Sequence, residues 1–95
     1  MKWIEIITLR SLVKANRQLV DELLCQLFQQ KEEGQATSIK VYHESMVETD
    51  LSIHIHWATE ALPLSTSTLG QQLLFALKGL GLISYSIWVE ATSVK

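Results

Sequence analysis

Hydrophobic residues recur along this chain with two periods, and the places where the period changes mark out its elements. Residues 2–10, KWIEIITLR, alternate in the two-residue rhythm of a β-strand, with Ile4, Ile6 and Thr8 on one side and Trp3, Glu5, Ile7 and Leu9 on the other. Both sides are mostly apolar, the pattern of a central strand covered twice. Asn16 is suited to capping a helix that runs to about Lys31 and is ended by Gly34. Its stripe, Leu19, Val20, Leu23, Leu24, Leu27 and Phe28, has the spacing of one buried face, and Cys25 falls nearly opposite it. Residues 38–58, SIKVYHESMVETDLSIHIHWA, read as a hairpin whose second strand sets Leu51, Ile53, Ile55 and Trp57 against Ser52, His54 and His56. The apolar set aligns if Val41 faces Ile55 and Tyr42 faces His54, with Met46 to Asp50 as the loop. After Pro63 a Ser/Thr cluster opens a second helix, with Thr68 and Gln71 spaced as a capping box. Leu69, Leu73, Ala76, Leu77 and Leu80 form its buried face, Phe75 projects the other way, and Gly79 or Gly81 stops it. Residues 82–91, LISYSIWVEA, make the last strand, with Ile83, Tyr85, Ile87 and Val89 on one side.

The order strand, helix, strand, strand, helix, strand predicts an α+β, ferredoxin-like βαββαβ sandwich over residues 1–95 as one domain. Two right-handed split crossovers give a four-stranded antiparallel sheet, order 4-1-3-2, with two helices on one face. In this reading Ile4 and Ile6 join Ile39, Val41, Ile53, Ile55 and Trp57 under the helices. Trp3, Ile7, Leu9, Tyr42 and Trp88 lie on the other face, which is too apolar to be left in water. A homodimer through that face is therefore expected.

Composition narrows the function classes. A formal net charge of −2, with no Lys/Arg cluster, argues against nucleic acid. No apolar run approaches the roughly 20 residues of a membrane helix, so no membrane partner is expected and the chain reads as cytoplasmic. One cysteine excludes an internal disulfide and any multi-cysteine metal site. All three histidines sit in the hairpin. His54 and His56 have the spacing of a two-histidine metal pair that Glu5 or Glu44 would complete. A hydrogen-bonded network of Glu5, Tyr42, His54 and His56 inside the dimer contact explains the same residues without a metal, and is the preferred reading. No phosphate cradle or catalytic triad can be assembled from the spacing.

A ferredoxin-like unit whose bare sheet packs on a second copy resembles the dimeric α+β barrel superfamily. The segment Trp57, Ala58, Thr59, Glu60, Ala61 is similar to the corresponding segment of the antibiotic biosynthesis monooxygenase group, although Pro63 and a Ser/Thr run stand where that group usually places a histidine. The resemblance implies a pocket between helices and sheet, walled by Trp57, that binds or oxidises a small aromatic ligand without a cofactor; Tyr85 and His43 are expected to line it with Trp57. The alternative is a regulatory or structural dimerisation domain without catalysis.

Overall fold

The computed structural model describes residues 2–10, 16–29, 36–47, 49–57 and 67–91. Its elements are β1 (Trp3–Arg10), α1 (Asn16–Gln29), β2 (Ala36–His43), β3 (Asp50–Trp57), α2 (Thr68–Leu77) and β4 (Leu82–Val89). The strands form one antiparallel sheet in the order β2-β3-β1-β4. This is the expected ferredoxin-like order, with β1 and β3 at its centre. The expected roles of Pro63 and Gly34 fall outside the described residues, as do the side chains of Leu27 and Phe28.

A single core joins Val20 and Leu24 of α1 and Leu73 and Leu77 of α2 to one face of the sheet. Ile7, Ile53, Ile55, Leu73 and Leu77 have no exposed surface at all. Opposite this stripe Cys25 is exposed and Phe75 is 80% exposed, as amphipathic helices require. The N-cap of α2 is Ser67, one residue before the expected Thr68, and its hydroxyl accepts from Gly70 N at 2.9 Å. The helix gives way at Lys78, and Gly79 follows at φ 94°, a left-handed conformation that glycine adopts without steric cost.

Two expectations are corrected. On β1 it is Trp3, Glu5, Ile7 and Leu9 that face the helices, while Ile4 and Ile6 lie on the open face. The register settles this, because Trp3 pairs with Trp57, Glu5 with Ile55, Ile7 with Ile53 and Leu9 with Leu51. Residues directly opposite one another share a face. Since both sides of β1 are apolar, alternation alone could not fix its phase. The side with the bulkier residues is buried, and Glu5 goes in with it.

In the hairpin, Val41 pairs with Ile53 and Tyr42 with Ser52, a slip of two residues from the expected register. Such a slip keeps every side chain on its face, so hydrophobic patterning cannot exclude it. Turn chemistry decides instead. The Glu44 carboxylate accepts from Met46 N at 2.7 Å and Val47 N at 2.5 Å, while Glu44 N donates to Asp50 O at 3.0 Å. The loop therefore closes at Glu44, and Asp50 already belongs to β3.

Replacing Ile53 by Ala should cost about 2–5 kcal/mol in urea unfolding, because the site is sealed on all sides. A loss below ~1 kcal/mol would show that the sheet and helices do not close on β3 as described.

Candidate functional site: a buried carboxylate at the start of α2

Glu5 is the one charged side chain fully buried among the described residues. Its position follows from the phase of β1: residues 3, 5, 7 and 9 share the helix face, so a carboxylate is carried into an otherwise apolar layer. Burying such a group without partners costs several kcal/mol. Here donors from two strands and one loop end converge on it. Trp57 Nε1 donates to Oε1 at 2.8 Å, and the Ser67 hydroxyl donates to the same oxygen at 2.5 Å. Ser67 N donates to Oε2 at 3.2 Å, and the Tyr85 hydroxyl donates to Oε2 as well. Ser67 has a double role, since the oxygen that gives its proton to Glu5 caps α2 through Gly70 N. The carboxylate thus lies against the positive end of α2, where negative charge is favoured.

Beside this cluster the rings of Trp3 and Trp57 stack with centroids 5.3 Å apart and planes inclined by 13°. Trp3 is 4% exposed, and its Nε1 is a buried donor with no acceptor among the described residues. Trp57 and Tyr85 are half-buried, so the cluster reaches from a sealed carboxylate toward accessible surface. A Tyr hydroxyl that donates to a carboxylate can accept a proton from another group, which makes Tyr85 a bridge between Glu5 and anything bound next to it.

The expected site residues are redistributed. Trp57 and Tyr85 come together, joined by Glu5. His43 does not accompany them: it pairs with Leu51, at the opposite end of the strand that ends in Trp57. At ~3.3 Å per residue this separates the two positions by roughly 20 Å. His43 instead borders a cleft of about 480 Å3 at the end of the sheet. The network of Glu5 with Tyr42, His54 and His56 is corrected, as is the metal set of His54, His56 and Glu5. Both fail for the same reason, which is that Glu5 lies on the opposite face of the sheet from the other three. Tyr42 and His54 do meet, with ring centroids 4.6 Å apart, and His54 Nε2 shares a 2.7 Å hydrogen bond with Ser52 Oγ. Among the described residues no three metal-ligating side chains are gathered. Sequence reasoning missed Ser67. The available signal was the Ser/Thr run before α2, in which any of several residues could cap the helix.

No protein-family model matches the chain, and no curated protein matches it in sequence. Solved structures do match it in shape. A protein from Deinococcus radiodurans, described as a "putative antibiotic biosynthesis monooxygenase", superposes with a TM-score of 0.67 at 18% identity, over 98% of this chain and 96% of that one. A protein from Mycobacterium tuberculosis superposes with a TM-score of 0.66 at 11% identity over the whole of both chains. At these identities the likeness is one of fold. It agrees with the βαββαβ order.

Burial, and next the neighbouring His56, hold the His54 imidazole below the ordinary histidine value of 6.5. The folded chain then binds fewer protons at this position than the unfolded chain, so stability falls as pH drops through 6.5 and levels off below the folded value. Urea midpoints measured between about pH 7.5 and about pH 5.5 should decline toward acid, and less steeply in His54→Asn. Equal slopes in the two proteins would contradict this environment for His54.

Proposed function

We propose that the chain is a homodimeric α+β barrel domain that binds a small aromatic ligand between helices and sheet, beside Trp57 and Tyr85, and acts on it without a cofactor. The observation that carries the reading is the buried Glu5 cluster. A fold of this size has no need of a carboxylate in its apolar layer, and a few convergent polar groups within an apolar lining are how ligand-handling sites are commonly built. The stacked Trp3 and Trp57 rings supply a flat wall, and the Trp3 indole N–H supplies a buried donor for a ligand oxygen. A phenolic hydroxyl resting on Tyr85 would pass its proton through the tyrosine oxygen to Glu5, leaving an electron-rich phenolate. With hydroquinone, two electrons and two protons, the one held on Glu5 included, would pass to dioxygen as second substrate, giving benzoquinone and hydrogen peroxide. The fold shared with the Deinococcus protein supports the reading, since that protein's description names a monooxygenase.

A second reading, a regulatory or structural dimerisation domain without catalysis, is favoured by one feature. Both oxygens of Glu5 already take two protein donors each, as in a purely structural tie. Tyr85→Phe separates the readings, because it removes the bridge and leaves the other three donors in place.

The homodimer would form through the open face, where Ile4 and Ile6 lie between Trp88 and the histidines of β3. Trp88 is 60% exposed in the single chain. Sedimentation at micromolar concentration should show a dimer, and Trp88→Glu a monomer or an aggregate, because the change sets an unpaired charge in a desolvated contact. A monomeric unmodified protein would remove this face as an interface.

Hydroquinone should raise the melting temperature, with about 2.7 kcal/mol of stabilisation at a hundredfold excess over the dissociation constant. The shift should vanish in Trp57→Ala and in Tyr85→Phe. A shift that survives both changes, or none in the unmodified protein, would leave the structural reading in its place.

A further inference from the structure

The open face carries a second arrangement of polar groups, independent of the Glu5 cluster. Register places Tyr42 opposite Ser52, Ser52 opposite Thr8 and Thr8 opposite Ser84. One row of hydroxyls therefore crosses all four strands in the order β2, β3, β1, β4. The Thr8 and Ser84 hydroxyls hydrogen-bond to each other. In the next row out, Arg10 Nε donates to Asp50 Oδ2 at 3.2 Å, and the other Asp50 oxygen is buried with no hydrogen-bond donor among the described residues. These residues line the cleft of about 480 Å3, a volume in the range of small-molecule sites.

We propose that this cleft binds a small uncharged polyhydroxylated molecule through the Thr8–Ser84 pair and Asp50. The chemistry selects that class. A hydroxyl both donates and accepts, so a hydroxyl row is matched best by ligand hydroxyls, which can take either role at each position. In the Thr8–Ser84 pair one oxygen accepts, and that hydroxyl keeps its own proton to give to a ligand oxygen. The unpaired Asp50 oxygen needs a donor, and a buried acceptor left without one costs free energy that a ligand hydroxyl recovers. Charge argues against anions, because Arg10 is already matched by Asp50 and Glu44 adds a negative charge at the rim. Adjacent hydroxyls on one ring would reach both groups, since diagonal neighbours on paired strands have Cβ atoms roughly 7 Å apart. Tyr42, 46% exposed, offers its ring as a wall on the β2 side. The cleft lies four residues along β1 from Ile4, about 13 Å, so a dimer contact centred on Ile4 and Trp88 leaves it at the rim.

The test is a titration of isotope-labelled full chain with myo-inositol, followed by backbone amide shifts, with cyclohexanol as the single-hydroxyl control. Saturable shifts are expected at Thr8, Asp50, Ser52 and Ser84 with myo-inositol and not with cyclohexanol. Asp50→Asn should weaken binding about tenfold, and Ser84→Ala, which leaves the Arg10–Asp50 pair intact, should weaken it several-fold. The proposal is overturned if myo-inositol gives no saturable shift at these amides, if cyclohexanol shifts them equally, or if both variants bind as the unmodified chain does. Shifts confined to Trp57 and Tyr85 would also overturn it, placing polyol binding on the helix side. Hydroquinone binding is untouched by any of these outcomes.

Discussion

The structure depends on keeping one carboxylate satisfied in a place with no water. Glu5 sits on the face that the helices cover, and three side chains and one backbone N–H donate to it. Trp57 comes from the end of β3, Tyr85 from β4, and Ser67 from the entry to α2, so three separate parts of the chain are referred to one point on β1. Ser67 makes the tie directional, because its hydroxyl cannot serve both Glu5 and Gly70 N unless α2 begins where it does. The helix start, the phase of β1 and the position of the Trp57 ring are thus consequences of a single requirement, that a buried charge be fully hydrogen-bonded.

That requirement also explains what could be read from the sequence. Element order, strand order and the alternation of β3 were legible because each rests on hydrophobic periodicity, and Leu51, Ile53 and Ile55 are buried as their pattern says. The phase of β1 was not legible. Its two sides differ in bulk more than in polarity, and a rule that sends charge outward places Glu5 with the histidines. Only the donors of Trp57, Ser67 and Tyr85, far apart in sequence, make the inward position tolerable. The hairpin register was hidden for another reason: a slip of two preserves the faces, and the choice lay in the Glu44 side chain closing its own turn.

Correcting β1 changes the character of the open face. Trp3, Ile7 and Leu9 leave it, and what remains is divided along the strands. Toward one end lie Ile4, Ile6 and Trp88 with the two histidines of β3; toward the other lies the hydroxyl row, closed off by Arg10 and Asp50. The first half suits contact with another surface, the second contact with something that hydrogen-bonds. His43, expected beside Trp57, is carried to this second end of the sheet, on the helix side with Leu51, because β2 and β3 run antiparallel and Leu51 is its partner.

The most direct test of the Glu5 account is a double-mutant cycle between Glu5→Gln and Tyr85→Phe, read as unfolding free energies. If the carboxylate organises its donors as one unit, the two changes interact, and the coupling should fall in the range of about 0.5–3 kcal/mol seen for partners in one buried network. Strictly additive effects, within ~0.3 kcal/mol, would show that Tyr85 and Glu5 are stabilised separately, and would contradict the claim that this carboxylate holds the site together.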